Sequence, residues 1–230
     1  TFTDGRIVVT GRRAKRGKGK RVDYLLRYRP DIPIAVVEAK EYKAPAGTGL
    51  QQAKDYAEAL GLKFAYATNG RDIIEFDFVT GLQSDLTEFP TPDELWERLR
   101  GGANISEQGE QSLLEASRYD GNKRPRYYQE IAINRAIQAI TQGEQRVLLT
   151  MATGTGKTFV AFQICWKLWN SRWNRTGEYR RPRILFLADR NILVDDPKDK
   201  TFVAFGDARH KIETGAVVKS REMYFALYQA

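Results

Sequence analysis

The order of hydrophobic and polar positions predicts a small α/β core at the start of the chain. Residues 22–28 and 33–40 have the apolar and β-branched content of two strands, and the turn-forming segment 29–32 separates them. Helical periodicity follows over residues 50–60, and residues 64–78 read as two more strands around an Asn-Gly turn. We therefore expect an α/β domain with a mixed sheet.

The pattern then becomes helical. Residues 91–119 predict two helices separated by a Gly-Gly break, the second over about 106–119, and we interpret the pair as a connector. The elements predicted beyond it are a helix over 130–140, a short buried strand over 147–150, a helix over 159–169 and a buried strand from residue 183. The resulting domain prediction is a sheet domain over 1–90, the connector over 91–124 and a second α/β domain over 125–230.

Length and composition narrow the class of protein. A chain of 230 residues can bury two modest cores without disulfides, and its single cysteine, Cys165, is expected to be a core residue. Neither an 18-residue apolar run nor a signal segment is found in the sequence. We expect a cytoplasmic protein with no membrane partner.

The net charge of +8 is concentrated near the start of the chain. Residues 1–29 contain ten Lys or Arg and two Asp, and the run 11–21 has glycines and almost no apolar side chains, as in a mobile loop. Such a run suits the phosphate backbone of DNA, although a solvated hairpin tip is the alternative. The candidate DNA-binding residues are Arg12, Arg13, Lys15, Arg16, Lys18 and Lys20.

Two carboxylates are expected to meet on the first hairpin. With the turn centred between Pro30 and Asp31, Asp23 lies opposite Glu38, and Lys40 follows on the same face. Because like charges at one rung repel, a bound cation would make the pair stable, and oxygen ligands suit Mg²⁺. We expect a Mg²⁺ site that polarises a phosphodiester, with Lys40 positioning water and stabilising charge.

The order Asp23, Glu38-x-Lys40 at the end of an apolar strand resembles the PD-(D/E)xK nuclease core. Gln52 and Tyr56 then match the QxxxY signature that accompanies some of these nucleases, four residues apart on one helix face. The resemblance implies that both side chains reach the substrate, although an ordinary amphipathic surface is the alternative. The third acidic residue of the family is not visible in the sequence.

A phosphate-binding loop is the strongest single motif. Residues 151–158 read MATGTGKT between a predicted strand and a predicted helix, the context that such a loop requires. Glycines let backbone N–H groups point inward, the lysine reaches the β- and γ-phosphates, and the threonine after it can bind Mg²⁺. The candidate ATP-binding residues are Thr153, Gly154, Thr155, Gly156, Lys157 and Thr158. Met151 departs from the strict pattern at the start of the loop only.

Two neighbouring segments resemble superfamily 2 helicase motifs. Arg126-x-Tyr128-Gln129 upstream of the loop is similar to the adenine-reading Q element, which implies that Gln129 contacts the base, although a surface glutamine at a helix start is the alternative. Asp189-Arg190 after the later strand is similar to motif Ia, which makes Arg190 a candidate DNA contact, with a helix-capping ion pair as the equal alternative. The arginine-rich segment 170–181 is interpreted as a variable surface loop, with nucleic-acid contact by Trp173 and its arginines as the alternative, and His210 as a structural residue.

The order of these features closely resembles the restriction (R, or HsdR) subunit of type I restriction–modification enzymes. The resemblance implies an ATP- and Mg²⁺-dependent translocase and endonuclease that acts on double-stranded DNA with methyltransferase and specificity subunits. The chain contains no Asp-Glu-x-His box, so a truncated RecA-like motor that does not turn over ATP alone is expected. The alternatives are a type III restriction or repair helicase subunit, and a DNA-binding scaffold with a degenerate nuclease core.

Overall fold

The computed structural model describes residues 21–119, 125–213 and 217–229, together with the backbone of residues 7–10 and 13–16. The chain divides into two compact units. The first contains residues up to Ile105 and the segment Pro125–Ile131, and the second contains the remainder. Among the described helices, none combines the length and the apolar character needed to cross a membrane.

Five strands of the first unit form one sheet. They are Tyr24–Arg29 (β3), Ile32–Ala39 (β4), Phe64–Thr68 (β5), Ile73–Asp77 (β6) and Leu82–Leu86 (β7), hydrogen-bonded in that order. Strands β4 and β5 are parallel and the other pairs are antiparallel, so the predicted mixed sheet is confirmed. The last strand, β7, was not predicted, because its polar residues lie on an exposed sheet edge.

A separate hairpin precedes the sheet. Its strands are Ile7–Thr10 (β1) and Arg13–Arg16 (β2), paired antiparallel. The expectation of a loop over residues 11–21 is therefore wrong for Arg13–Arg16, because backbone pairing with a neighbouring strand outweighs the low apolar content.

The register predicted for the hairpin of β3 and β4 is confirmed. Tyr24 pairs with Val37 and Leu25 with Val36, and Pro30 and Asp31 form the two-residue turn between the strands. A register shift occurs near the turn, beside Arg27. The predicted pairing thus holds as far as Tyr24 and Val37, and Asp23 lies just before the first paired residue.

Two helices cover the sheet. Helix α1 (Leu50–Leu60) buries Ala53 and Ala57 completely against Val36 and Ala65, since small residues allow close contact between helix and strands. It ends at Gly61, whose φ of 71° favours glycine. Helix α2 (Pro92–Gly102) begins with a capping box formed by Thr91 and Glu94, which confirms its predicted start.

The second unit is a three-stranded parallel sheet with surrounding helices. Its strands are Ile184–Ala188 (β8), Arg209–Lys211 (β9) and Met223–Leu227 (β10), with β10 in the centre. The helices after α2 are Glu107–Leu114 (α3), Tyr127–Thr141 (α4), Lys157–Asn170 (α5) and Ile192–Asp196 (α6). A π-helical turn, Pro197–Thr201, and a 3₁₀ segment, Val203–Ala208, follow α6. The aromatic core of this second unit includes Phe162, Phe202 and Phe225.

Three sequence predictions in this unit are wrong. The strand expected from residue 183 forms as β8, but it is not buried, because alternate residues Leu185 and Leu187 lie on a sheet face that leaves them 53% and 39% exposed. The helix expected over residues 106–119 already ends at Leu114. The buried strand expected over residues 147–150 is neither a strand nor buried, and Leu148 is 89% exposed. Apolar content produces a strand only where a neighbouring strand supplies hydrogen-bonding partners, and within the described residues none pairs with this segment.

A buried ionic network joins β5, β6 and α2. Arg98 donates to Glu75 at 2.6 Å and to Asp77 at 2.9 Å, and the Tyr66 hydroxyl donates to Glu75 at 2.5 Å. Burial raises the pKa of Tyr66, and the hydrogen bond to Glu75 raises it further. Burial also tends to raise the pKa of Asp77, but hydrogen bonds from Arg98 and the Val79 amide outweigh it and lower that pKa.

We predict that Arg98→Met lowers the free energy of unfolding by about 3 kcal/mol at neutral pH, since it leaves two buried carboxylates without their cation. The matched variant Arg100→Met, which removes an exposed pair with Glu97, should lose less than about 1 kcal/mol. Urea denaturation of each variant measures both values.

The pH dependence of the same variants gives a second test. In the parent chain the lowered pKa of Asp77 stabilises the fold above the ordinary carboxyl pKa, and this contribution is lost as the pH falls. Arg98→Met removes the hydrogen bond from Arg98 that lowers this pKa, so the stability deficit should grow as the pH rises from 4 to 7. A deficit independent of pH would contradict the role given to Arg98.

Candidate functional site

Glu38 is a buried carboxylate at the end of strand β4. It follows Val36 on the strand face that packs against α1, and it is only 4% exposed. Its Oε1 atom accepts a hydrogen bond from Lys40 Nζ at 2.8 Å. Its Oε2 atom is buried and has no hydrogen-bond partner among the described residues. A buried carboxylate oxygen without a partner is costly, which makes this atom a natural ligand for a cation.

A chain of hydrogen bonds connects Lys40 to helix α1. Lys40 Nζ also donates to Gln52 Oε1 at 3.1 Å, and Gln52 Nε2 donates to the Tyr56 hydroxyl at 2.8 Å. The backbone amide of Lys40 donates to Thr68 on β5, which holds the end of β4 in place. The structure thus brings together Glu38, Lys40, Gln52 and Tyr56, the residues selected from the sequence, and their catalytic roles stay a prediction.

Asp23 lies at the same end of the hairpin. Its Oδ2 atom accepts a hydrogen bond at 2.9 Å from the backbone amide of Ala39, between Glu38 and Lys40. Asp23 is exposed, whereas Glu38 is buried. Within the part of the chain that the structure describes, no group of three or more His, Cys, Asp or Glu side chains could hold a metal. The two carboxylates nevertheless fit a partly hydrated Mg²⁺, because it accepts one or two carboxylates and keeps several waters.

Gly49 makes room for this network and was not found from the sequence. It precedes α1, and a Cβ atom at this position would lie 3.0 Å from Lys40 Cε and 3.1 Å from Glu38 Cγ. The backbone of Gly49 is helical, so the lack of a side chain is what the position requires. Only the packing of the helix start against the strand end reveals this requirement.

The phosphate-binding loop has the backbone expected of it. Gly154 and Gly156 have φ values of 78° and 87°, a region that favours glycine, and α5 begins directly at Lys157. Thr155 Oγ1 donates to the Ala152 carbonyl at 2.6 Å, which closes the turn. The loop therefore presents the N-terminus of a 14-residue helix, the end that attracts anions.

Lys157 is exposed at this helix start. Its Nζ atom donates to the Met151 and Ala152 carbonyls at 3.2 and 3.3 Å, long contacts for a charged donor. Thr158 is half-buried in the first turn of α5 and Thr153 is exposed in the loop. This arrangement can hold phosphate oxygens, and the ATP-binding roles stay a prediction.

Gln129 is buried in the first turn of α4. Its Oε1 atom accepts a hydrogen bond at 2.9 Å from the backbone amide of Arg126, which caps the helix start. The Arg126 guanidinium donates to the Tyr128 hydroxyl at 3.1 Å. The alternative of an ordinary surface glutamine is thus excluded by its 8% exposure.

Helix α5 has a buried polar face that sequence reasoning missed. Gln163, Lys167 and Ser171 are spaced by four residues and are at most 1% exposed. They hold the segment 112–118: Gln163 bonds both backbone groups of Arg118, Lys167 Nζ donates to the Leu113 and Glu115 carbonyls, and the hydroxyls of Ser171 and Ser112 pair. The repeat of polar residues in an otherwise apolar helix is the signal that could have revealed it.

The remaining candidates are the residues predicted to bind DNA. Arg190 is exposed and lies 3.8 Å from Asp189, and neither side chain caps α6, whose first residue follows Asn191. Of the basic candidates, Arg13, Lys15 and Arg16 belong to β2, while Arg12, Lys18 and Lys20 lie outside the described residues.

Cys165 and His210 are consistent with the structural roles expected for them. Cys165 packs against the aromatic core of its unit, and burial raises the pKa of its thiol to about 12. A thiol at this pKa is not a nucleophile at neutral pH. His210 lies in β9 with its ring edge-on to Tyr224.

Comparison with known proteins gives relatives for both units. Residues 122–230 match the family described as type III restriction enzyme, res subunit. The chain is 43% identical over 235 residues to the type I restriction enzyme EcoAI endonuclease subunit of Escherichia coli, which covers 99% of this chain and 28% of the relative. It is 31% identical over 197 residues to the type I restriction enzyme EcoKI endonuclease subunit of Escherichia coli strain K12. That match covers 80% of this chain and 15% of the relative.

A solved structure is similar over the whole chain. It is a fragment assigned to an HsdR subunit of a type I restriction enzyme from Vibrio vulnificus YJ016, with 60% identity and a TM-score of 0.83. This chain covers 41% of that chain. The chain therefore spans less than half the length of each of these relatives.

We predict that Gly49→Ala lowers the free energy of unfolding by about 1–3 kcal/mol, because the added methyl group must displace Lys40 or Glu38. Gly47→Ala is the matched control, since its methyl group would lie at an ordinary 3.5 Å from Ile74 Cδ1. Denaturant titration of both variants checks the difference, and equal stability would show that the network tolerates a side chain at Gly49.

Proposed function

Because this chain is homologous to the endonuclease (HsdR) subunits of type I restriction enzymes, we propose that it forms part of an ATP-dependent DNA translocase and Mg²⁺-dependent endonuclease. Duplex DNA would be cut away from the recognition site. The observation that carries the proposal is the hydrogen-bond chain from Glu38 through Lys40 and Gln52 to Tyr56, beside Asp23. The activity belongs to the whole protein, of which this chain is 28% in the EcoAI relative.

Residues 1–90 form the proposed nuclease half. It would have a PD-(D/E)xK core, in which Asp23 and Glu38 would hold Mg²⁺. The ion supplies a polarised phosphodiester and a water of lowered pKa. Lys40, fixed between Glu38 and Gln52, places its ammonium where negative charge develops on the scissile phosphate. Gln52 is in turn fixed by Tyr56, so helix α1 orients Lys40 before the substrate binds.

Residues 125–230 form the proposed motor half. It would bind ATP through a RecA-like phosphate loop. Lys157 would contact the β- and γ-phosphates, Thr158 would bind Mg²⁺, and the backbone between Thr153 and Gly156 would hold phosphate oxygens. The positive φ values of Gly154 and Gly156 support this role. Gln129, fixed at the start of α4, would read the adenine.

The proposed partners are double-stranded DNA and the methyltransferase and specificity subunits of a restriction–modification complex. The basic residues of β2 and Arg190 would contact phosphates without reading sequence. A type III restriction or repair motor is the second candidate, because residues 122–230 match the res-subunit family. The matches to type I endonuclease subunits cover 80–99% of this chain, including the nuclease half, and favour the first candidate. A scaffold with a degenerate nuclease is disfavoured by the intact Glu38–Lys40 pair.

We predict that Asp23→Ala, Glu38→Ala and Lys40→Ala each abolish DNA cleavage by the full-length assembled enzyme and leave its ATPase intact. Cleavage of plasmid DNA and phosphate release measure the two activities in the same preparation. Glu58→Ala, an exposed carboxylate on α1, is the matched control and should keep both activities. Cutting retained by either carboxylate variant would remove the nuclease assignment.

Lys157→Ala should have the complementary effect. It removes a charged contact to the β- and γ-phosphates, so ATP hydrolysis should fall by at least about a hundredfold, and translocation and distant cleavage should be lost with it. The Mg²⁺ ligands of the nuclease are unchanged in this variant. ATP-dependent cleavage by full-length Lys157→Ala enzyme would contradict the proposed coupling of cutting to translocation.

A further inference from the structure

The segment after α5 is a well-defined loop that displays arginines. We call residues 171–183 the arginine loop, because it holds five arginines and one glutamate. The Asn174 side chain is 7% exposed and organises the loop: it accepts from the Thr176 amide and hydroxyl and donates to the Glu178 and Arg180 carbonyls. The backbone that carries the arginines is therefore held by a buried clamp, and the loop lies at the surface as expected.

Two arginines of the loop lie over aromatic rings. The Arg172 guanidinium lies 4.8 Å from the centre of the Tyr179 ring, which is 76% exposed, and Arg181 lies 3.6 Å from that of Trp169. A cation–π contact holds the guanidinium over the ring face through its carbon and π system, so N–H donors of the group can still bind an anion. Such a fork matches both carboxylate and phosphate oxygens, and the excess of five arginines over one glutamate in the loop favours a polyanion such as the phosphate backbone.

Arg172 occupies a backbone position that favours glycine. Helix α5 ends in a Schellman motif, in which the Trp173 amide donates to Leu168 and the Arg172 amide to Trp169. Arg172 is the left-handed residue of this motif, with a φ of 55°. An arginine is strained there where a glycine would not be, so its side chain is retained at a cost in stability.

From these observations we infer that the arginine loop is a second binding surface for the phosphate backbone of duplex DNA. The loop would bind DNA without sequence preference. The loop lies at the opposite end of α5 from the phosphate cradle, about 21 Å away for a 14-residue helix. It is therefore separate from the proposed ATP site. The inference rests on the proposed function in one respect, namely that the protein moves along DNA.

The test is the double variant Arg172→Gly/Arg175→Gln in the full-length subunit. It removes two exposed charges, and glycine relieves the strain at position 172. Binding to a fluorescent duplex of unrelated sequence, in EDTA to prevent cleavage, should weaken about tenfold at moderate salt. The slope of log affinity against log salt should fall by up to about 1.8, for two phosphate contacts. The melting temperature should be unchanged or higher.

The matched control is Lys198→Gln/Lys200→Gln, which removes two charges from the same unit that are paired with Asp199 and Asp196. It should leave the affinity and the salt slope unchanged. An unchanged affinity in the arginine variant, weaker binding with an unchanged slope, or a lower melting temperature would each overturn the inference. If the loop instead docks an acidic protein partner, DNA affinity stays unchanged while subunit assembly fails, which also overturns it. Absence of DNA binding by the parent subunit would instead contradict the proposed function itself.

Discussion

Burial of the Glu38 carboxylate is the constraint on which the first unit depends. A charge that is 4% exposed at the end of a buried strand is tolerated only if a cation lies beside it, and Lys40 supplies that cation at 2.8 Å. Lys40 must then be fixed as well, which requires Gln52 and Tyr56 on α1 and a residue without a side chain at Gly49. The strand end, the helix start and the proposed catalytic groups are thus one packing solution.

The second unit also contains a buried charged side chain. Lys167 is fully buried on the helix that starts at the phosphate loop, and its ammonium is satisfied by carbonyls at the C-terminal end of α3. A helix C-terminus carries partial negative charge, which favours a lysine ammonium at this position. Together with Gln163, this contact fixes the segment after α3 to the body of the nucleotide-binding helix.

Local rules predicted much of the fold and the candidate site. The hairpin register, the two-residue turn at Pro30-Asp31, the start of α2 after Thr91 and the glycine-dependent loop before Lys157 each depend on neighbours in sequence, and each was found as expected. The strand expected over residues 147–150 failed because strand formation needs a partner from elsewhere in the fold. The hydrogen-bonding partners of Gln163 and the clamp formed by Asn174 also depend on packing.

The sequence by itself determined which chemical groups this protein has and in what order: the acidic pair with Lys40, the Gln52–Tyr56 spacing, and the GTGKT loop before a helix. Only the tertiary structure decided how those groups are held. It set the burial of Glu38, the attachment of Lys40 to Gln52, and the need for glycine at position 49. The physical reason is that motifs record side-chain chemistry at fixed spacing, whereas burial and close contact arise between elements distant in sequence.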